Sequence, residues 1–184
     1  MNYQDYIWDL GGTLLDNYET STAAFVHTLQ DFGLHASHDE VYKALKVSTD
    51  YAVRQFSPTN KDFLKTYKAN EAKELEQPIL FDGASELLAQ IIQQGGRNFL
   101  ISHRDDQVLE ILKKTQISAY FTEVVTASNG FKRKPDPESM LYLKDKYQIQ
   151  SGLVIGDRPI DIEAGQTAGF ANLTDRRASC RERV

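Results

Sequence analysis

From Gly83 to Leu173 the chain alternates short apolar runs with segments of helical periodicity, and no other feature narrows its fold so far. Asn98–Ser102, Val124–Thr126 and Leu153–Ile155 read as strands, with Gly169–Leu173 as a last one. Between them Ala84–Gln94, Asp106–Thr115, Pro137–Tyr147 and Ile160–Ala168 read as helices, the third with proline at or near its start. Tyr6-Ile7-Trp8 supplies a further strand close to the N-terminus. Strand–helix repetition of this kind predicts an α/β fold, a Rossmann-like parallel sheet covered by helices.

Residues 17–79 break that rhythm, because no strand-like alternation interrupts them. Thr20–Phe32 places Phe25, Val26, Leu29 and Phe32 at helical spacing, and Gly33 follows as a stop. Ser37 with Glu40 reads as a capping box that opens a helix through about Lys46. Helices around Asp50–Phe56 and over Asn60–Glu76 complete the segment, which Pro78 closes. The expected organisation is therefore a core of residues 1–16 and 80–174 with an all-helical cap at 17–79. Residues 175–184 turn abruptly Arg-rich and carry the single cysteine, Cys180. They read as a non-native or disordered tail, a genuine basic tail being the alternative.

A chain of 184 residues is long enough for one domain with a sizeable core, or for a core domain carrying a small insert, but not for two large domains. The net charge of −5 argues against a nucleic-acid partner, since such proteins concentrate basic charge. Lys132-Arg133-Lys134 is only a short basic run, a solvated loop or a local attraction for an anion. Neither a membrane-length apolar run nor a leader pattern is visible, so no membrane partner and a cytoplasmic location are expected. One cysteine gives neither a disulfide framework nor a multi-cysteine metal site. Nothing in the pattern sets an oligomeric state.

Polar residues recur where the predicted strands end. Asp9-Leu10-Gly11-Gly12-Thr13 follows the first strand, and Ser102 ends the second. Lys134 lies in Lys132-Arg133-Lys134-Pro135-Asp136-Pro137, and Gly156-Asp157-Arg158-Pro159-Ile160-Asp161 follows Leu153-Val154-Ile155. The ends of parallel strands share one rim, so these residues should converge. An Asp at a strand end, followed by a glycine turn and a threonine, is an opening for aspartyl-phosphate chemistry. Asp157 and Asp161 could alternatively be a Gly-Asp turn followed by carboxylates that favour a helix N-terminus.

The order and spacing of these motifs, over roughly residues 5–173, resemble the haloacid dehalogenase superfamily. They look most like its phosphoglycolate-phosphatase-like branch, with a helical cap between the first and second motifs. The resemblance implies that Asp9 is the nucleophile and a Mg²⁺ ligand, with the Gly11 carbonyl as a second ligand. It implies Asp157 as a further ligand and Asp161 as one directly or through water. Ser102 would donate a hydrogen bond to the phosphoryl group, Lys134 would offset its charge, and Thr13 would orient the nucleophile loop while Gly12 lets it turn. His103 and Arg104 are candidate substrate contacts, the alternative being surface loop residues. The cap would close over the crevice and exclude water from a small phosphorylated metabolite.

Gly11 departs from that pattern. Phosphatases of this family carry a second Asp there, which protonates the leaving oxygen and later activates water. General acid–base help of this kind contributes typically 10²- to 10⁴-fold, so its loss predicts slow rather than absent turnover. Two alternatives follow. One is a catalytically impaired relative that binds a phosphorylated ligand or partner for regulation. The other is a phosphonate hydrolase, which would need an essential lysine from the insert, whose Lys43, Lys46, Lys61, Lys65 and Lys68 read mostly as a solvated face.

Overall fold

Residues 3–74 and 76–173 are described in the computed structural model of the chain; the Arg-rich stretch from residue 175 lies outside them. They contain a five-stranded, all-parallel sheet in the order β3-β2-β1-β4-β5. Its strands are β1 (Asp5–Trp8), β2 (Arg97–Ile101), β3 (Phe121–Val125), β4 (Gly152–Ile155) and β5 (Ala171–Leu173). Helices α5 (Ala84–Gln93), α6 (Gln107–Lys114), α7 (Glu138–Tyr147) and α8 (Pro159–Thr167) lie between these strands in sequence. The parallel α/β arrangement expected from the alternation is thus the one observed.

Side-chain alternation along the strands builds two cores, one on each face. Tyr6 and Trp8 of β1 join Leu100 of β2 against Leu88, Ile91, Val108 and Leu112 of α5 and α6. Ile7, Phe99, Ile101, Val125 and Val154 point the other way, onto Met140, Leu143, Ala164 and Ala168 of α7 and α8. Burial on both faces explains the continuous apolar runs Tyr6–Trp8, Phe99–Ile101 and Leu153–Ile155. Among the polar strand residues Asn98 is fully buried yet satisfied: its Oδ1 accepts from Trp8 Nε1 at 2.9 Å, and its Nδ2 donates to the Leu88 carbonyl at 3.1 Å.

Asp16–Ile79 forms a separate compact unit, distinct from the chain on either side of it. Its helices are α1 (Asn17–Asp31), α2 (His38–Val47), α3 (Thr49–Phe56) and α4 (Phe63–Glu74). Each of the first three is opened by a side-chain cap. Asp16 accepts from the Glu19 N–H at 3.0 Å, Ser37 and Glu40 form a reciprocal capping box, and Ser48 accepts from the Tyr51 N–H at 3.0 Å. The unit's own core centres on Phe25, which meets Phe63 and Tyr67 edge-on at centroid distances of 4.9 and 5.0 Å. The Asp16 N–H donates to the Ile79 carbonyl at 2.9 Å, bringing the two ends of the unit side by side.

Most element ends differ from the sequence reading by a residue or two, and the starts of α1, α4 and β3 differ by three. Helix α1 begins at Asn17, not Thr20, because Asp16 supplies the cap. Helix α4 begins at Phe63, not Asn60: the Asn60 and Phe63 N–H groups close a turn on Ser57 and Asn60 first, at 3.5 and 3.3 Å. Strand β3 begins at Phe121 and ends at Val125, and Thr126 instead caps a short 3₁₀ turn over Ala127–Asn129. No described helix is long and apolar enough to cross a membrane. Phe25→Ala should destabilise the helical unit by about 3–5 kcal/mol through the cavity it leaves, measurable as a lowered urea midpoint.

Candidate active site

Backbone pairing carries the sheet one residue past β1, β2 and β4 at the rim. The Asp9 N–H donates to the Ile155 carbonyl at 2.9 Å, the Ser102 N–H to Val125 at 2.9 Å and the Gly156 N–H to Leu173 at 3.3 Å. Asp9 and Ser102 therefore stand on anchored backbone. Strand β1 lies between β2 and β4, so the sheet order reverses beside it, and ligands of open α/β sheets bind at such switch points.

The loop after Asp9 folds onto itself. Leu14 and Leu15 both donate their N–H to the Leu10 carbonyl at 2.9 Å, and Gly12 donates to Leu15 at 2.9 Å. Gly12 adopts φ +79°, and a Cβ there would overlap the Asp157 carboxylate. Gly11 is not among the glycines with a left-handed φ. At Gly156 a Cβ would overlap the Asp161 side chain. Bare backbone at these two positions is what admits the carboxylates.

Lys134 reaches the same point from the loop before α7. Its Nζ donates to Asp9 Oδ1 at 2.6 Å and to the Ile101 carbonyl at 3.2 Å, and it lies 2.5 Å from Asp161 Oδ1. The last contact is an ion pair without hydrogen-bond alignment, so Asp161 Oδ1 has no hydrogen-bond partner among the described residues. The Lys134, Asp9 and Asp161 side chains are only 1%, 6% and 1% exposed, so little water screens these charges. Asp161 Oδ2 accepts from the Arg158 N–H at 3.2 Å and so also caps α8.

Asp9, Asp157 and Asp161 each offer an oxygen, all within 4.8 Å of one another. These carboxylates leave negative charge in excess of the Lys134 ammonium, and the half-exposed Arg158 Nε comes only to 4.0 and 3.9 Å of Asp157 and Asp161. Burial lifts Asp9 above the ordinary carboxylate range despite Lys134 beside it. Burial, reinforced by the Asp9 and Asp161 carboxylates, pushes Asp157 up to about 6. Asp157 Oδ1 and Asp161 Oδ1 are buried without hydrogen-bond partners among the described residues. Crowded carboxylates with unsatisfied oxygens fit a hard divalent cation, which takes oxygen ligands.

The other expected residues divide. The Ser102 Oγ accepts from the Arg104 N–H at 3.2 Å, which leaves its own O–H available as a donor. The Thr13 Oγ1 is buried and unpaired among the described residues. His103 is half-buried, and its Nε2 accepts from the Lys134 backbone N–H at 2.8 Å. Burial, then the charges of Lys134 and Arg133, lower its pKa to about 4. Arg104 serves through its backbone, its carbonyl accepting from the Ala127 N–H at 2.8 Å, while its guanidinium makes no ion pair among the described residues. Two contributors escaped the sequence reading: the Ile101 carbonyl, and Gly156 as the bare wall against Asp161. The Gly-Asp pair itself was the available signal for the second.

The sequence comparison identifies the family to which this α/β fold belongs. Residues 6–173 match the haloacid dehalogenase-like hydrolase family, and the chain belongs to that family. Among its relatives is the pyrophosphatase PpaX of Oceanobacillus iheyensis, 26% identical over 176 residues, spanning 91% of this chain and 81% of that one. A phosphoglycolate phosphatase of Aliivibrio fischeri is 28% identical over 186 residues, spanning 88% and 79%. Among solved structures, a hydrolase from Streptococcus pneumoniae TIGR4 is 70% identical and superposes with a TM-score of 0.90, covering 94% of this chain and 92% of that one.

The two adjacent glycines are separable by experiment. Gly12→Ala meets both a left-handed φ and the Asp157 carboxylate, and should cost more than about 1 kcal/mol of stability. Gly11→Ala meets no such φ and should cost less, as paired denaturant titrations would show.

Proposed function

We propose that the protein is a Mg²⁺-dependent phosphatase that hydrolyses a small phosphorylated metabolite through an aspartyl phosphate on Asp9. The observation that carries this reading is the buried Lys134 ammonium in contact with both Asp9 and Asp161, beside an acidic cluster whose oxygens are not all paired. The names of the relatives support the reaction class, and phosphoglycolate and pyrophosphate are the first substrates to try.

In this reading an Asp9 oxygen attacks phosphorus and the bond to the leaving oxygen breaks; water then attacks the aspartyl phosphate, releasing inorganic phosphate and restoring the carboxylate. The Ser102 hydroxyl donates to a phosphoryl oxygen, and Lys134 offsets charge there while holding the Asp9 carboxylate in place. Asp9, Asp157, Asp161 and the Gly11 carbonyl would hold the Mg²⁺. Bound there, it would neutralise charge on the phosphoryl oxygens. With Gly11 two residues after the nucleophile, no carboxyl stands at that position to protonate the leaving oxygen. Substrates with good leaving groups, such as aryl phosphates, should lose least.

Gly11 also favours a second reading, a relative that binds a phosphorylated ligand or partner with little turnover. Phosphate release from p-nitrophenyl phosphate, phosphoglycolate and pyrophosphate separates the two. Expected are Mg²⁺-dependent turnover in the wild type, loss of at least about 10³-fold in Asp9→Asn, and a gain of roughly tenfold or more in Gly11→Asp. No turnover in well-folded wild type or Gly11→Asp would favour the binding reading.

The pH dependence of cation binding follows from Asp157. Because its pKa is raised to about 6, its contribution to the stability of the metal-free fold is complete below its ordinary 3.8 and is lost as pH rises through about 6. A divalent cation needs the ionised carboxylate, so affinity should fall as pH drops below about 6. Differential scanning fluorimetry should show a larger Mg²⁺-induced rise in Tm at pH 7.5 than at pH 5.0; an equal rise at both would remove Asp157 from the cation site.

A further inference from the structure

We propose that His103 is a positioning residue, whose neutral Nε2 accepts the Lys134 backbone N–H and so holds the Lys134 ammonium between Asp9 and Asp161. The inference rests on the reading of Asp9 and Lys134 just given, and it concerns how that lysine is kept in place.

Lys134 lies in a segment that is neither helix nor strand, so its backbone N–H has no ladder or helical partner. The residue is only 5% exposed, and a buried N–H needs an acceptor. His103 Nε2, at 2.8 Å, is that acceptor across 31 residues of sequence. Accepting requires a lone pair on Nε2, which puts the ring proton on Nδ1; an imidazolium would set N–H against N–H.

His103 is itself fixed from both sides. The preceding Ser102 is tied to the sheet through its N–H to Val125 at 2.9 Å, and its Oγ accepts from the following residue, Arg104, at 3.2 Å. A weaker bond runs from Arg133 Nη2 to the His103 carbonyl at 3.5 Å. Both ends of Lys134 are therefore attached to the end of β2, its backbone to His103 and its ammonium to the Ile101 carbonyl at 3.2 Å. A lysine has a flexible four-carbon stem and a point charge without directional preference. The other backbone bonds of this loop, from the Lys132 N–H to Glu138 Oε2 at 2.8 Å and from the Asp136 N–H to the Arg133 carbonyl at 3.0 Å, tie it to α7 and to itself, not to β2. Attachment at both ends fixes where the charge sits relative to Asp9.

The imidazole thus acts through Lys134 rather than on substrate, which separates its variants by their ability to accept a hydrogen bond. His103→Leu fills similar space without an acceptor, whereas the Oε1 of His103→Gln can stand near the Nε2 position. In the full chain with saturating Mg²⁺ and p-nitrophenyl phosphate, His103→Leu should lose about tenfold or more in kcat, and His103→Gln should recover most of it. Amide hydrogen exchange, followed by NMR, should show the Lys134 N–H protected in wild type and His103→Gln and deprotected in His103→Leu. If His103→Leu fails to fold, His103→Asn, too short to reach, takes its place. Wild-type rates in the variant without an acceptor, equal losses in both variants, or a Lys134 amide unaffected by either would overturn the inference. A wild type without turnover would instead strike the phosphatase reading, and amide exchange would still decide whether His103 holds the loop.

Discussion

The rim depends on a single buried ammonium. Asp9 and Asp161 come from different segments, after β1 and in the first turn of α8, and without a shared cation their carboxylates would repel across the switch point of the sheet. Lys134 Nζ, 2.6 Å from one and 2.5 Å from the other, makes their proximity tolerable. A buried ion pair repays the loss of hydration only when its geometry is close and its remaining donors are used, and here the Ile101 carbonyl takes another of them. The neutralisation stays incomplete, because Asp157 adds a further carboxylate. That residual negative charge, with Asp157 Oδ1 and Asp161 Oδ1 buried and unpaired among the described residues, is what a divalent cation would offset.

Rigid support is what keeps such charges crowded. Both faces of the sheet are covered by packed helices, and β1, β2 and β4 are hydrogen-bonded one residue beyond their last registered pair, which holds Asp9 against local fraying. The two bare backbone positions, Gly12 and Gly156, work with this rigidity. Each removes a Cβ at the point where an acidic side chain must lie against the main chain. A methyl group at either would have to displace a carboxylate or a strand end.

The legible part of the molecule is the part set by local pattern. The apolar runs that became β1, β2 and β4 were visible because burial on both faces demands continuous apolar sequence, and their ends placed Asp9, Ser102 and Asp157 on one rim. Strand β3 was read too short because Phe121-Thr122-Glu123 mixes exposed and half-buried positions at the sheet edge. The capping box at Ser37 and Glu40 is written in adjacent residues and was readable; the delayed start of α4 depends on a turn through Ser57 and Asn60 and was not. Lys134 was marked by its place in the motif order. Its double contact with Asp9 and Asp161, and the link from its backbone to His103, depend on a loop whose path is fixed by tertiary contacts. No spacing rule brings a histidine to a peptide nitrogen 31 residues away.

The junction between sheet and insert has a consequence of its own. Leu15 bridges Leu80 in antiparallel sense, the Phe81 N–H donates to the Leu14 carbonyl at 3.0 Å, and the Asp16 N–H reaches Ile79 at 2.9 Å. Along the chain, then, residues 16–79 are inserted between two short segments that pair with each other, Leu14-Leu15 and Leu80-Phe81. These outgoing and returning segments are sealed to each other, so the length and composition of whatever lies beyond are invisible to the register of β1. Residues 16–79, with their own core around Phe25, can therefore vary without shifting the backbone register that places the acidic rim. The acidic rim and the aromatic core around Phe25 are in this way written in separate stretches of one gene.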